Sequence, residues 1–344
     1  MKTFKRREEI KAAVVGYGGA YSMGQIHLLR MEETGIKPTA VAEIDPERLE
    51  SAKEDFPGIQ TFGSLTEMLE RSDDVNCITI VTPHNTHASL AVEALESGRH
   101  VIVEKPMALT TEECDSMIGA AEKNGLMLSV HHNRHWDGCI MNAVERIREG
   151  SIGDVVRVEA HMGSWKKPVE TWRSSKSASG GILYDWGIHL LEYTFQIIDS
   201  EIVEVNGFSK RGFWADTTEL KDDTNEDEAL AVVRYKNGCW SSLSISSIDS
   251  SPKKGQMEIT GTKGTLIFSG DEWSLITHDG DVNITAQGPN PESKTVLFYE
   301  NIAAFLTGTE DLIITPEYAR RPVHVLDLAD RSAKEGRALE AVYP

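Results

Sequence analysis

The sequence has no long apolar run, and acidic side chains greatly outnumber basic ones. Its 344 residues include 35 Lys+Arg and 54 Asp+Glu, a net charge of −19. No apolar run approaches the ~20 residues needed to span a membrane, and residues 1–11 are charged and unlike a secretory signal. Repulsion from phosphate disfavours nucleic acid or an anionic membrane as a partner. We therefore expect a protein that binds neither nucleic acid nor membrane.

Cysteine is also scarce. The four cysteines form no CxxC pair, which indicates reduced thiols and a cytoplasmic location rather than a disulfide framework. The composition, 40% hydrophobic and 26% charged, is that of a globular protein and excludes low-complexity and disordered classes. At about 150 residues per domain the length predicts two domains, which we place at residues 1–130 and 131–344.

Residues 1–130 alternate apolar strands with helices, which predicts an α/β domain built on a doubly wound parallel sheet covered on both faces. The expected strands are 10–15, 39–43, 76–81, 100–103 and 126–130. In such a sheet ligands bind at the carboxyl ends of the strands. Gly16 and Gly18 follow the first strand and suit close approach to a pyrophosphate, whereas Gly24 falls three residues late for the usual spacing. The helix that follows directs its amides at the phosphates.

Glu43 ends the second strand, where a carboxylate accepts hydrogen bonds from a ribose hydroxyl and repels a 2′-phosphate. We therefore predict a Rossmann dinucleotide-binding domain that takes NAD, with NADP as the alternative. Pro106 is a candidate for a cis peptide bond. The residues expected to contact the cofactor lie at the strand ends and in the glycine-rich loop: Gly16, Gly18, Gly19, Ala20, Tyr21, Ser22, Met23, Glu43, Thr82, Pro83, Asn85, His87, Glu104, Lys105 and Pro106.

After residue 130 strands dominate, and Asn237-Gly238 is a strong hairpin signal. The pattern predicts an α+β domain with a large, mostly antiparallel sheet and helices on one face. We expect a helix at 183–198, a last strand at 295–298 and one or two helices at 316–337. Glycines before and within the first of these helices, Gly180, Gly181 and Gly187, would allow a ligand to approach the backbone closely.

Several motifs together resemble one family. They are Thr82-Pro83-x-x-x-His87, residues 98–106 ending in Glu-Lys-Pro, Asn133-Arg-His-Trp-Asp137, residues 180–189 containing Asp185-x-Gly187-x-His189, and Gly261-Thr-Lys-Gly264-Thr. The chain resembles the Gfo/Idh/MocA family, named for glucose–fructose oxidoreductase and inositol dehydrogenase, from about residue 10 to 340. The resemblance implies an oxidoreductase whose second domain has an open-faced sheet that pairs subunits into a homodimer or homotetramer.

Asp185 and His189 are four residues apart and would share a helix face. The resemblance implies that a secondary hydroxyl of a polyhydroxylated small molecule binds over the nicotinamide. His189 removes the hydroxyl proton, Lys105 donates a hydrogen bond to the reacting oxygen, and Asp185 orients Lys105 or a neighbouring hydroxyl. The reverse assignment of Lys105 and His189 stays open.

The expected substrate contacts are rings and bidentate donors suited to a sugar or cyclitol: Arg134, His135, Trp136, Trp165, Trp172 and Arg173. For Trp165 and Trp172 a place in the core is an equal alternative. No metal is expected, because the histidines at 84, 87, 131, 132 and 135 lack ligand spacing. The acidic run 216–228, with seven acids and one lysine, is interpreted as a solvated loop.

Two alternative functions remain open. One is an NAD-dependent glycoside hydrolase that oxidises its sugar transiently, and the other is a non-catalytic NAD(P)-binding sensor, like the family's galactose-pathway repressor. A sensor would be expected to lack Lys105, Asp185 or His189, and all three are present. A hydrolase would turn over without net production of NADH.

Overall fold

The structure, a computed structural model, describes residues 3–18 and 22–342. It divides the chain into two compact units, Met1–His132 with Val296–Arg320 and Asn133–Thr295 with Arg321–Pro344. The first change of unit lies two residues from the boundary expected at 130. The segment 296–320, which the sequence analysis placed in the second domain, belongs instead to the first unit.

The first unit contains a six-stranded, wholly parallel sheet in the order β3-β2-β1-β4-β5-β6. This is the strand order of a Rossmann fold, so the predicted doubly wound sheet is confirmed. The strands are β1 (Lys11–Val15), β2 (Lys37–Ala42), β3 (Gln60–Phe62), β4 (Cys77–Ile80), β5 (His100–Val103) and β6 (Leu128–Val130). The helices between them are α1 (Met23–Glu33), α2 (Pro46–Asp55), α3 (Leu65–Arg71), α4 (His87–Glu96) and α5 (Thr111–Asn124).

Local signals fix the ends of these helices. The Asp45 side chain accepts the Glu47 N–H at 3.0 Å and begins α2. Thr110 and Glu113 form a capping box at the start of α5, and Gly125 ends that helix in the left-handed conformation. Strands β4 and β5 are buried at every position, which is why they read as continuous apolar runs.

The second unit is built on a mostly antiparallel sheet that carries helices, as predicted. Its helices up to residue 295 are α6 (Gly138–Arg148), α7 (Lys176–Ser179), α8 (Ile182–Asp185) and α9 (Gly187–Ile197). Its strands are β7 (Val155–Gly163), β8 (Ile202–Lys210), β9 (Glu228–Tyr235), β10 (Trp240–Ser246), β11 (Met257–Gly261), β12 (Gly264–Phe268), β13 (Glu272–Asp279) and β14 (Val282–Pro289).

The last part of the chain supplies helices to both units. Helix α10 (Leu297–Leu306) lies in the first unit, α11 (Pro316–Glu335) begins there and continues into the second, and β15 (Leu339–Glu340) closes the second sheet. That sheet has the order β14-β13-β12-β11-β7-β10-β9-β8-β15. Strands β7 and β10 are its parallel pair, and the other neighbours within the described residues are antiparallel.

One face of the nine-stranded sheet is covered by helices. A Cβ on Gly187 of α9 would lie 2.9 Å from Leu243 Cδ2 on β10, so the helix rests directly on the buried side of the strand. The strand residues that alternate with this side face away from the helices, and they include Val232, Trp240 and Ile267. This is the open-faced arrangement that the family resemblance implies.

The prediction of a strand at 295–298 is wrong. Residues from Leu297 onward form α10, and Phe298, Tyr299 and Ile302 are almost completely buried. A short apolar run fits a buried strand or a buried helix equally well by periodicity alone. The apolar pattern here continues to Leu306, which is longer than a typical strand and favours a helix.

No helix in the described part of the chain is both long enough and apolar enough to cross a bilayer.

Candidate functional site

The glycine-rich loop leaves no room for side chains at two positions. Gly16 has a φ of +91°, its N–H donates to Ala42 O at 2.8 Å, and a Cβ there would lie 2.4 Å from Val81 O. A Cβ on Gly24, inside α1, would lie 2.5 Å from both Gly16 O and Tyr17 O. Gly24 therefore provides the close helix–strand packing of the usual third glycine, with a longer loop before it.

The middle of the predicted pyrophosphate loop, Gly19, Ala20 and Tyr21, lies outside the described residues. Ser22 follows it with a left-handed φ of +46° and precedes Met23, the first residue of α1. A Cβ on Gly18 would find its nearest neighbour, Arg48 Cδ, at 3.9 Å. The described edges of the loop thus form an open turn that leads directly into a helix N-terminus.

Glu43 is 6% exposed and holds this loop from the end of β2. One carboxylate oxygen accepts the Tyr17 N–H at 2.8 Å and the other accepts the Asp45 N–H at 3.1 Å. The Arg48 guanidinium lies 3.9 Å from Glu43 and 3.2 Å from Asp45. A carboxylate has about four acceptor positions, so Glu43 retains capacity for a ribose hydroxyl.

Two further strand ends meet through a buried histidine. His87, with no exposed surface, lies at the start of α4. Its Nδ1 is 2.8 Å from Pro106 O and its Nε2 is 2.9 Å from Thr82 O. Burial lowers the pKa of His87, although both carbonyls favour the protonated ring. His87 therefore joins the loops after β4 and β5, and Pro83 and the exposed Asn85 lie on the first of them.

The loop after β5 carries the predicted lysine. Lys105 is half-buried, and its backbone N–H donates to the Glu104 carboxylate at 3.0 Å. The Lys105–Pro106 peptide bond is cis. The Lys105 ammonium lies close enough to lower the pKa of His87, after the larger effects of burial and the backbone carbonyls. The first unit thus brings Gly16, Glu43, Thr82 and Lys105 to the carboxyl edge of one sheet.

In the second unit the predicted helix 183–198 is interrupted. Helix α8 ends at Asp185, α9 begins at Gly187, and Trp186 stands between them with φ −91° and ψ −32°. Asp185 is half-buried and His189 is 6% exposed. Gly187 packs on Leu243, and a Cβ on Gly181 would lie 2.6 Å from Glu226 Oε2. At both glycines protein atoms occupy the space that a Cβ would fill, so both also serve packing inside the protein. Backbone approach to a ligand at Gly180, Gly181 and Gly187 stays a prediction.

Trp186 connects two of the predicted residues. The Arg134 guanidinium lies 4.5 Å from the centre of the Trp186 ring, and the ring of His189 lies 5.8 Å from it, edge-on. Asp137 accepts hydrogen bonds from Arg134 Nη1 at 2.8 Å and from the Tyr193 hydroxyl at 2.7 Å. Trp186 is not among the predicted site residues, although it is the middle residue of the Asp185-x-Gly187 motif.

His135 and Trp136 lie elsewhere in this unit. His135 Nδ1 is 2.6 Å from the carboxylate of Glu192, which is 1% exposed. Both residues line a groove along α6 whose lining also includes Met141, Arg148 and Gln196 and does not include Asp185 or His189. Trp136 is itself 8% exposed.

Neither Trp165 nor Trp172 belongs to the core. Trp165 is 56% exposed and packs edge-on against Phe213 and Trp214, with ring centres 5.3 and 6.0 Å apart. Trp172 is half-buried, and Arg173 stacks on it at 4.4 Å. The alternative of two core tryptophans is therefore wrong.

The acidic run 216–228 is solvated only in part. Glu226 and Asp227 are 5% and 1% exposed. Asp227 accepts the backbone N–H groups of Phe213 at 2.7 Å and Trp214 at 3.0 Å. Glu226 forms a 2.8 Å ion pair with Lys176, the first residue of α7. Charge density alone does not reveal that Glu226 and Asp227 accept hydrogen bonds from partly buried backbone N–H groups. The interpretation as a solvated loop therefore fails for these two residues.

A parallel sheet with this strand order, a glycine-lined turn into a helix and an acid at the end of β2 together define a dinucleotide-binding protein. The chain belongs to the Gfo/Idh/MocA family. Residues 10–132 match the family model described as an oxidoreductase family with an NAD-binding Rossmann fold, and residues 140–267 match the model of the GFO/IDH/MocA C-terminal domain.

Three relatives illustrate the relationship. The scyllo-inositol 2-dehydrogenase (NADP(+)) IolW of Bacillus subtilis is 24% identical over 359 residues, covering 98% of each chain. The levoglucosan dehydrogenase of Pseudarthrobacter phenanthrenivorans is 25% identical over 253 residues, 67% of this chain and 64% of the relative. The structure of an NAD-binding protein from Listeria innocua superposes with a TM-score of 0.83 at 24% identity, over 98% of each chain, and supports the fold.

Proposed function

We propose that this protein is an NAD-dependent dehydrogenase or reductase that acts on a secondary hydroxyl or ketone of a sugar, a cyclitol or a sugar derivative. The observation that carries the proposal is the ring of His189, which is almost buried beside Trp186 and follows Asp185 across a helix break. A nearly buried imidazole is a candidate general base, because burial perturbs its protonation. Relatives named for scyllo-inositol and levoglucosan support this substrate class.

In the proposed mechanism His189 removes the hydroxyl proton, since a neutral imidazole accepts a proton near neutral pH. The Lys105 ammonium donates a hydrogen bond to the same oxygen and stabilises the negative charge that develops on it. Asp185 orients the lysine or an adjacent hydroxyl. A bound nicotinamide supplies the hydride acceptor for oxidation and the donor for reduction. The reverse direction uses the same three residues, with His189 returning the proton.

The aromatic and basic side chains of the second unit would select a polyhydroxylated substrate. The Arg134 guanidinium stacks on the ring of Trp186, and the same ring contacts the ring of His189. Indole faces pack against the apolar faces of a sugar or cyclitol, and guanidinium donors bind its hydroxyls. We add Trp186 to the proposed substrate contacts Arg134, Trp165, Trp172 and Arg173. His135 and Trp136 are not retained, because they line a separate groove along α6.

The proposed cofactor is NAD. Glu43 would accept a ribose hydroxyl and would repel a 2′-phosphate. Arg48, which could otherwise bind that phosphate, lies 3.2 Å from Asp45. The loop residues Gly16 to Met23 would contact the pyrophosphate, and Thr82, Pro83, Asn85, Glu104, Lys105 and Pro106 the nicotinamide half. His87, fully buried, would act through the two loops that it joins.

We also propose that subunits pair through the open face of the nine-stranded sheet. Trp240 is 37% exposed on this face, between Arg157 of β7 and Arg234 of β9 in the sheet register. Aromatic residues and arginine are enriched at the centres of protein interfaces. A second copy of this chain is therefore the proposed occupant of the face.

Absorbance of NADH, recorded with a panel of inositols, levoglucosan and hexoses, tests the proposed activity. We expect NAD-dependent oxidation of at least one polyol, with NADP used more weakly. Lys105→Ala and His189→Ala should each lower kcat by about 100-fold or more, because each removes a group that acts only on the reacting oxygen. Lys123→Ala and His278→Ala, at exposed positions, are the matched controls and should retain full activity.

Three outcomes would contradict the proposal. Release of aglycone from a glycoside without net NADH would replace it with the redox-assisted hydrolase. NAD binding without turnover of any polyol or glycoside would favour the sensor. Full activity in Lys105→Ala or His189→Ala would refute the assignment of the catalytic residues.

A further inference from the structure

Four polar side chains from four elements meet in the interior of the first unit. They are His27 of α1, Glu104 after β5, His131 after β6 and Tyr299 of α10. Glu104 Oε1 is 2.9 Å from His27 Nε2 and 2.7 Å from His131 Nδ1. The Tyr299 hydroxyl forms a short hydrogen bond to His27 Nδ1. His27 is 1% exposed and Tyr299 is 1% exposed, so that end of this His27–Tyr299 network is closed to solvent, whereas the Glu104 side chain retains 14% exposure.

The protons in the network have one consistent arrangement. Burial opposes ionisation of Glu104, but His131 and His27 together hold its pKa well below the usual range. Burial and His131 lower the pKa of His27, and burial raises that of Tyr299. An ionised carboxylate only accepts hydrogen bonds, so both histidines donate to Glu104. His27 Nδ1 then lacks a proton and accepts a hydrogen bond from the hydroxyl of Tyr299.

The other oxygen of the same carboxylate holds the backbone of the predicted catalytic lysine. Glu104 Oε2 accepts the Lys105 N–H at 3.0 Å. On the far side of this residue, His87 contacts the carbonyl of Pro106 at 2.8 Å. The peptide backbone that carries Lys105 is therefore held on one side by Glu104 and on the other by His87.

Helix α1 is the other element that the His27–Tyr299 network joins to Lys105. His27 lies one turn after Gly24, the glycine whose missing side chain lets α1 contact the loop at Gly16 and Tyr17. The first turn of this helix follows the predicted pyrophosphate loop. His27 thus links α1, which is predicted to direct its first amides at the cofactor phosphates, to the carboxylate that holds Lys105.

A metal ion is the competing interpretation, because the donor atoms of His27, Glu104 and His131 all lie within 4.8 Å of one another. Two ligands of a tetrahedral zinc, each about 2.05 Å from the ion, are about 3.3 Å apart. The observed 2.7 and 2.9 Å are hydrogen-bond distances. The geometry therefore favours shared protons over a shared ion.

We propose that His27, supported by Tyr299, is a positioning residue that fixes Lys105 for the reaction by orienting the Glu104 carboxylate. This inference rests on the proposed function of Lys105. It assigns a role to two residues that the proposed mechanism does not use, one on α1 and one on the returning segment 296–320. A misplaced catalytic group can cost about 100-fold in rate, so the network is a large potential contributor to turnover.

Three variants and one control test the proposal. His27→Leu removes the donor to Glu104, His27→Gln restores a donor at a similar position, and Tyr299→Phe removes only the hydroxyl. His100→Leu is the control: His100 is also fully buried, at the other end of β5, and accepts the Met127 N–H at 2.9 Å. The readouts are kcat, KM, the Kd for NAD, denaturant unfolding and hydrogen exchange at the Lys105 amide.

We expect His27→Leu to lower kcat about 10- to 100-fold, with KM and the Kd for NAD changed less than about threefold, and to accelerate exchange at the Lys105 amide. His27→Gln should recover kcat to within about threefold of the wild type, and Tyr299→Phe should fall between them. His100→Leu should lose stability but keep kcat. If His27→Leu does not fold, Tyr299→Phe still decides through kcat and amide exchange.

Four results would overturn the inference. They are an unchanged kcat in both His27→Leu and Tyr299→Phe, no rescue by His27→Gln, an equal loss of kcat in His100→Leu, and a stoichiometric zinc in the wild type that His27→Leu loses. Amide exchange reports on the network even if the wild type oxidises no polyol. Failure of the proposed function is thereby distinguished from failure of the network.

Discussion

The two units hold their candidate residues by opposite means. In the first unit, the glycine-rich loop needs positions without side chains, because a Cβ on Gly16 or Gly24 would lie within about 2.5 Å of a backbone oxygen. In the second unit, carboxylates hold the backbone. Glu226 accepts the Ile182 N–H at the start of α8, and Asp227 accepts the Phe213 and Trp214 N–H groups after β8. The first site should therefore fail when volume is added, and the second when charge is removed.

Gly24→Ala should have the largest effect. The added Cβ would meet Gly16 O and Tyr17 O at 2.5 Å, and backbone atoms in a packed loop cannot yield easily. Overpacking of this kind costs about 1–3 kcal/mol or more, and displacement of the loop should weaken NAD binding at least about tenfold. Denaturant unfolding and titration with NAD measure both changes.

The matched control is Gly119→Ala, which also lies inside a helix of the first unit. A Cβ on Gly119 meets nothing within 4 Å, so alanine should stabilise α5 by about 0.5–1 kcal/mol and leave NAD binding unchanged. Equal behaviour of the two variants would show that the close approach at Gly24 is unimportant.

Asp227→Asn should have an intermediate effect, confined to the second unit. The carboxylate accepts the Phe213 and Trp214 N–H groups, and an amide can accept only one of them while its NH₂ faces the other. The unsatisfied donor should cost about 1–3 kcal/mol in the free energy of unfolding. The Kd for NAD, measured by titration, should stay unchanged.

Asp216→Asn tests the same acidic run where it is exposed. It should change stability by no more than about 0.5 kcal/mol. A cost equal to that of Asp227→Asn would mean that the net charge of the run, rather than its buried contacts, determines stability.

Trp240→Ala should have the smallest effect on the folded chain and should act on association. The sheet of the first unit is buried on both faces, whereas the second sheet exposes Trp240 between two arginines. Loss of a central aromatic contact should raise the subunit dissociation constant about tenfold, or about 1.4 kcal/mol. Sedimentation equilibrium measures it, with Ile284→Ala on β14 as the exposed apolar control. A wild-type monomer would refute the proposed pairing.

Much of the first unit was predictable from the sequence because its strands are buried on both faces and its helices carry caps. The carboxyl ends of β1, β2, β4 and β5 follow directly from those patterns. The strand β3 was missed, because three residues, Gln60 to Phe62, give no usable periodicity. The prediction of a strand in place of the start of α10 is wrong because residues 295–298 alone fit a buried strand or a buried helix. Nothing local indicates that this segment belongs to the first unit.

The candidate site divides in the same way. The resemblance to the family's motifs pointed to Lys105, Asp185 and His189, whereas the contacts of Trp186 with Arg134 and of His27 with Glu104 join residues far apart in the chain. A signal for His27 did exist. It shares the buried face of α1 with Gly24, Leu28 and Met31, and a histidine within an apolar stripe needs a buried polar partner. The sequence does not show that this partner is 77 residues away.

The return of residues 296–320 to the first unit also bears on how the chain is made. Phe298, Tyr299 and Ile302 fill that unit's interior, yet they leave the ribosome long after His132. At translation rates of ~5–20 residues per second, the nascent Rossmann sheet waits on the order of ten to thirty seconds for its last helix. During that interval His27 lacks its hydrogen bond to the Tyr299 hydroxyl, and the apolar surface that Phe298 and Ile302 later cover is exposed to water.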